Sequence, residues 1–270
     1  LFPYTTLFRS VRIDGRLADG VGAKDAMLAL IGRMGMSGGA YRAVEFTGEA
    51  VSAMDMAERM TLCNMTAELG AQTGLVAPDA TTLAWLAERG VADADAGPWV
   101  GDPDAPVSET RVIDGDALAP QVAAPHSPAN TRPVGEAAGT PIRVAYLGAC
   151  TGAKLEDLRA AARVLRGARV APGTALVVAP ASLADARAAE REGTMAVLLE
   201  AGATLLPTGC GACAGYGGSI PDDVDVISST ARNFRGRMGA PSARIWLGSP
   251  YTVAASALRG AIADPREALA

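Results

Sequence analysis

Between positions 143 and 259 short apolar runs alternate with helical patterns, and nothing else in this chain restricts its fold so strongly. The runs read as strands over 143–147, 175–178, 204–206, 224–227 and 245–247, with helices over 155–166, 183–192, a further one to 200, and 253–259. Such alternation predicts a parallel sheet with covering helices. In such sheets the loops at the carboxyl ends of the strands collect along one edge and form the ligand crevice. Cys150 follows the first strand, Cys210 and Cys213 follow the third, and the loop 230–237 follows the fourth, so the pattern predicts one rim carrying all of them.

The first half reads as a second, mixed α/β unit. Met27, Leu30, Ile31 and Met34 share one face of a helix over 24–34 that Gly35 ends. A strand over 43–47, a helix over 54–71 and a helix to Glu88 capped by Asp79 follow. Asp102-Pro103-Asp104 and the run 119–140, with Pro120, Pro125, Pro128 and Pro133, read as connection. The boundary is placed near 118, which gives two α/β domains, 11–118 and 119–270, each with a parallel sheet covered by helices. Residues 1–10 differ in style from the Ala/Gly/Arg-rich remainder, look like translated sequencing-adaptor read-through, and are set apart from the fold.

Composition narrows the function. The chain has 24 Lys and Arg against 29 Asp and Glu, no basic run and 4% aromatic residues, so neither a phosphate-binding face nor a base-stacking platform is indicated, and no nucleic-acid partner is expected. No apolar stretch approaches the length needed to span a bilayer, so no membrane partner is expected either. Four cysteines in 270 residues fit a reducing, cytoplasmic setting, where a CxxC pair reads as metal or redox chemistry.

The cysteine count is the sharpest chemical signal. Cys63 is the one cysteine outside the rim, and His126 is the sole histidine. A structural tetrahedral metal site and a fully ligated electron-transfer cluster each want four ligands. Three thiolates instead suit a [4Fe–4S] cluster that keeps one iron open, where a hydroxyl or carboxylate can be polarised. On the residues alone a structural zinc site, inert buried thiols or a redox-active Cys210–Cys213 pair stay open. The glycines around that pair (Gly211, Gly215, Gly217, Gly218) argue against the thioredoxin-like arrangement.

Three loops carry a resemblance: Gly148-Ala149-Cys150-Thr151-Gly152, Gly209-Cys210-Gly211-Ala212-Cys213 and Ala231-Arg232-Asn233-Phe234-Arg235-Gly236-Arg237. In order and spacing they resemble the signature loops of the aconitase superfamily, nearest to isopropylmalate isomerase large subunits and their homoaconitase-like relatives. The stretch from Met60 to Glu68 and Pro125-His126-Ser127-Pro128 look like further family segments, so the resemblance runs from Val11 to Ala270.

The resemblance implies a [4Fe–4S] cluster on Cys150, Cys210 and Cys213. It implies that Arg232 and Arg237 hold substrate carboxylates, for which a planar guanidinium fork is suited. Asn64 and Glu68, four apart, share a face on a helix, and the resemblance implies that both face the cluster, with Glu68 near the open iron. Cys63 is expected to be packed, and His126 to be structural. The implied activity is that of a hydro-lyase of the 3-isopropylmalate dehydratase type, serving leucine biosynthesis, which isomerises a hydroxy di- or tricarboxylic acid by dehydration and rehydration.

Departures and gaps qualify what is implied. The family commonly has Ser and Asn where this chain has Ala149 and Gly152, and Asn where it has Ala231, which removes polar groups near a cluster. The family's first domain has no counterpart here, nor does the swivelling domain that supplies a serine base, which in the isomerase is a separate small subunit. A small-subunit partner in a heterodimer or larger complex is therefore expected. The alternatives are a homoaconitate, aconitate or methylmalate-type hydratase, or a truncated cluster-binding protein without turnover.

Overall fold

The structure, a computed structural model, describes residues 8–102, 104–216 and 220–270. Pro103, Gly217, Gly218 and residues 1–7 of the opening segment lie outside the described residues.

The first lobe contains β1 (Phe8–Asp14), α1 (Ala23–Met34), β2 (Ala43–Thr47), α2 (Glu49–Ala53), α3 (Met56–Met65), β3 (Thr73–Val76), α4 (Ala80–Ala87) and β4 (Thr110–Asp114). Its four strands are all parallel, in the order β3-β2-β1-β4. Val11 and Ile13 alternate inward along β1 and pack with Met27, Leu28, Ile31 and Leu62 of α1 and α3.

The second lobe contains β5 (Gln121–Ala123), β6 (Thr131–Pro133), β7 (Val144–Gly148), α5 (Leu155–Leu165), β8 (Ala175–Ala179), α6 (Leu183–Arg191), α7 (Thr194–Glu200), β9 (Ala203–Leu205), β10 (Asp225–Ser228), β11 (Arg244–Gly248), α8 (Pro250–Arg259) and α9 (Arg266–Leu269). Its seven strands run β6-β5-β11-β10-β7-β8-β9, and all but β5 and β6 are parallel. The five strands expected from the alternation are all present. One face of α5, with Leu158, Ala161, Ala162 and Leu165, joins Val253, Ala254 and Ala257 of α8 in the core over the sheet.

Three readings change, and two strands had none. β1 begins at Phe8, inside the segment set apart by composition, because residues 8–12 pair with 43–47 of β2 and the largely buried Arg9 forms an ion pair with Glu109. The run 119–140 is not a connection throughout. It contributes β5 and β6, with Val122 and Ala123 fully buried, and Pro133 sits on the edge strand where a missing N–H is tolerated. β3 and β4, short and largely exposed, gave no alternation to read. The helix expected over 54–71 is α3 alone. Asp55 caps it by accepting from the Glu58 N–H at 2.8 Å, and the chain tightens after Met65 into turns that close on Gly70 at φ +76°.

The lobes share a polar seam as well as apolar contact. The core of the first runs on into Ala123 and Leu247 of the second sheet. The buried Asp25 carboxylate of α1 accepts from the Gln121 N–H at 2.8 Å and the Gly22 N–H at 2.9 Å. Its burial pushes its pKa up to about 6.

Candidate functional site

The second sheet reverses its winding between β7 and β10: β8 lies to one side of β7, while β10 returns to the other. Such a switch point opens a crevice at the strands' carboxyl ends. Cys150 follows β7 and the arginine loop follows β10, so both flank that crevice from adjacent strands. The Ser229 N–H extends the ladder by donating to the Tyr146 carbonyl at 3.0 Å.

Local sequence shapes the first cysteine loop. Ala149 turns the chain at φ +70°, in the left-handed region that side chains avoid, and the next residue, Cys150, is exposed. A Cβ at Gly148 would lie 2.2 Å from the Tyr146 ring, and one at Gly152 would lie 2.4 Å from Ser229 Cβ.

Cys210 and Cys213 come from the far edge of the sheet. The chain after β9 runs inward across the end of β8, with the Leu206 N–H donating to the Val178 carbonyl at 2.8 Å and the Gly209 N–H to the Pro180 carbonyl at 3.1 Å. A 3-10 turn over Gly211–Ala214 follows, in which the Cys213 N–H donates to the Cys210 carbonyl at 2.8 Å. Ala212 seats this turn in a small apolar cluster with Tyr146.

The groups act on one another electrostatically. Burial pushes the Cys213 thiol up; Arg237 opposes this, and the charges of Cys210 and Cys150 add to it. Tyr146, fully buried, is pushed up to about 12 by its burial and then by Cys213, so its phenol stays neutral. Its hydroxyl has no hydrogen-bond partner among the described residues.

The first lobe supplies Asn64 and Glu68. Asn64, in the last turn of α3, directs Nδ2 toward Cys150 Sγ at 3.4 Å. Glu68 lies in the turn after the helix, not on it, yet still faces the rim: its Oε1 accepts from Arg232 Nε at 2.5 Å, and the carboxylate holds the Arg232 pKa above its ordinary value. Glu68 Oε2 and Arg237 Nε are both buried without a partner among the described residues. Buried polar atoms are ordinarily paired, so the site has capacity for one more donor at Glu68 and one more acceptor at Arg237.

Three thiols supply the soft donors that an iron–sulfur cluster takes. Among the described residues no three His, Cys, Asp or Glu side chains converge on a single metal ion. A cluster asks for a wider set, because each thiolate binds a different iron. With the two orphaned polar atoms beside them, the residues fit such a group.

Several site residues escaped the sequence reading. Lys24 is fully buried, and its Nζ donates to the carbonyls of Ser229 at 2.7 Å and Thr230 at 2.8 Å; burial pushes its pKa down to about 8. Its signal was present, since Lys24 falls on the same face of α1 as Met27 and Ile31. Lys154 Nζ reaches Thr61 Oγ1 at 2.9 Å, the Cys150 carbonyl at 3.1 Å and Asp157 Oδ2 at 2.7 Å, tying α3 to the cysteine loop. Asn233 ties the arginine loop to the carbonyls of Ala124 at 2.8 Å and Ile245 at 3.0 Å. Cys63 lies at the contact of α3 with β3, where a Cβ at Gly74 would fall 2.7 Å from its Cα. His126 occupies the turn between β5 and β6, with Nδ1 buried and without a partner among the described residues.

A cavity of about 1040 Å³ opens between the lobes, lined by Lys24, Glu58, Thr61, Thr151 and Asp157 among others. Neither the three cysteines nor Arg232 line it, but Thr151 and Lys24 do, so it adjoins the rim.

The profile of the aconitase family (aconitate hydratase) matches residues 6–260. The chain is 47% identical over 256 residues to the probable methanogen homoaconitase large subunit of Methanosarcina mazei, covering 94% of this chain and 64% of that one. It is 43% identical over 260 residues to 3-isopropylmalate dehydratase large subunit 2 of Archaeoglobus fulgidus, covering 96% and 62%. It is 42% identical over 257 residues to 3-isopropylmalate dehydratase large subunit 1 of Methanopyrus kandleri, covering 95% and 61%. Among solved structures, holo aconitase X of Thermococcus kodakaraensis aligns with TM-score 0.44 and 12% identity, covering 85% of this chain and 50% of that one. The chain belongs to the aconitase family. It spans 61–64% of the length of these three curated relatives.

Proposed function

We propose that this chain is the cluster-binding part of the large subunit of a hydro-lyase that isomerises a hydroxy di- or tricarboxylic acid by dehydration and rehydration. Cys150, Cys210 and Cys213 would hold a [4Fe–4S] cluster with one iron left open. When bound, the cluster supplies an electron-poor iron that weakens the bond between a substrate carbon and its hydroxyl. Arg232 and Arg237 neutralise the substrate carboxylates through bidentate hydrogen bonds. Glu68 orients the Arg232 fork, and its free oxygen is available to take a hydrogen bond from the departing hydroxyl. Asn64 donates to the Cys150 sulfur, a contact of the kind that tunes cluster stability. A proton-abstracting base is assigned to a small subunit, in keeping with the naming of the relatives as large subunits.

The observation that carries this reading is the convergence of remote segments: Asn64 on Cys150 Sγ and Glu68 on Arg232 join two loops of one lobe to the end of α3 in the other. The relatives named above favour a homoaconitate-like or 3-isopropylmalate-like substrate, the latter placing the chain in leucine biosynthesis.

Anaerobic reconstitution with iron and sulfide, followed by EPR after mild oxidation, tests the proposal. A [3Fe–4S]-type signal that Cys150→Ala abolishes is the expected result. Stoichiometric zinc without sulfide overturns it.

A further inference from the structure

Ser229, the first residue after β10, is fully buried and joins three segments of the molecule. Its hydroxyl accepts from the Gly148 N–H at 3.0 Å and lies 3.0 Å from the Gly152 carbonyl, to which it can donate. One side chain therefore spans both ends of the loop that carries Cys150 at its centre. Its carbonyl accepts from Thr151 Oγ1 at 3.2 Å and from Lys24 Nζ at 2.7 Å. Lys24 comes from α1 of the other lobe and holds the Thr230 carbonyl as well, two residues before Arg232.

Gly152 is the steric counterpart of this arrangement. A Cβ at 152 would lie 2.4 Å from Ser229 Cβ and 2.5 Å from both its Oγ and its carbonyl oxygen, too close for side chain or backbone to stay in place. The loop can close on the Ser229 hydroxyl only while residue 152 has no side chain.

We propose that Ser229 is a positioning residue of the candidate site: paired with Gly152, it clasps the Cys150 loop and sets the thiol against the arginine loop. The proposal rests on the reading of Cys150 as a cluster thiolate. It adds that the Ser229 hydroxyl, in the space that Gly152 leaves, is what holds that loop.

The test begins with the reduced chain before any iron is added. Alkylation of Cys150 by iodoacetamide, measured against Cys210 by peptide mass spectrometry, reads the mobility of the loop. Ser229→Ala is expected to speed alkylation of Cys150 about two- to tenfold, the range set by losing one ordinary hydrogen bond, and to leave Cys210 unchanged. Gly152→Ala is expected to do the same through the clash.

After reconstitution, Ser229→Ala is expected to lose sulfide in air faster than the parent chain. Thr151→Val, which removes only the bond to the Ser229 carbonyl, is the milder variant and carries the test if Ser229→Ala does not fold by circular dichroism. Unchanged Cys150 alkylation in the folded variants overturns the proposal. A parent chain that takes up no cluster sinks the functional reading instead, and the alkylation comparison still decides the role of Ser229.

Discussion

β7 and β1 are both interior strands of parallel sheets, yet β7 buries all five of its residues while β1 buries only alternate ones. Parallel sheets are ordinarily covered on both faces. The second sheet obeys, with α5 and α8 over one face and the Tyr146 cluster beneath the cysteine turn on the other. The first sheet is covered by α1 and α3 on one face, while its other face leaves Phe8, Arg12, Leu75 and Val112 exposed. From 70 to 112 no described residue is buried. Helix α4 is held there by charge: buried Arg59 donates to Asp79 at 2.6 and 2.7 Å. The lobe that carries the cysteines is thus closed on itself, and a rigid base of that kind is what a site made of loops requires.

The largest effect should separate the two sheets. Leu147→Ala, at a fully buried position of β7, is expected to cost about 2–5 kcal/mol. Val112→Ala, on the open face of β4, is expected to stay within about 0.5 kcal/mol. Equal shifts in urea denaturation midpoints would show that the comparison is wrong.

The seam between the lobes should respond to pH through Glu58. Burial, and then Asp55, push this carboxyl from 4.5 up to about 7, while it accepts a hydrogen bond from the Ala23 N–H at the start of α1. A raised carboxylate pKa means that the folded state binds the proton more tightly than the unfolded state. Stability therefore falls as pH rises from 4.5 to about 7. Glu58→Gln removes that fall, so the variant is expected to gain relative to the parent across this window by about 1–3 kcal/mol. A constant difference between the two denaturation curves at every pH would remove Glu58 from the seam's electrostatics.

The smallest effect sharpens the comparison within the rim. Ala149 holds a left-handed conformation that glycine adopts without strain, so Ala149→Gly is expected to stabilise by about 1 kcal/mol or less. Loss of stability in a thermal melt would show that the buried Ala149 methyl packs for more than the backbone gains.

How far the site was legible depended on range. The second-lobe strands and the three cysteine and arginine loops were readable because strand periodicity, glycine clusters and residue chemistry are local properties. β5 and β6 hid behind four prolines, and β1 behind an opening whose composition did not match the rest. Glu68 was expected on a helix that in fact ends at Met65, but the turn that replaces it still delivers the carboxylate to Arg232. Lys24, Lys154 and Ser229 went unread, because a lysine or serine announces nothing until its partner is known, and those partners lie 81 to 205 residues away in the chain.

By itself the sequence determined that parallel strands would form, that their carboxyl-end loops would bear three cysteines and a pair of arginines, and which family the loops resemble. These follow from hydrophobic period and loop chemistry, which neighbouring residues set together. Tertiary structure alone decided that β9's loop crosses β8 to reach the rim, that Asn64 and Glu68 meet it from the other lobe, and that Ser229 fills the space Gly152 leaves. Those outcomes depend on close packing and on the pairing of buried polar groups, which exist only once distant segments exclude water from one another.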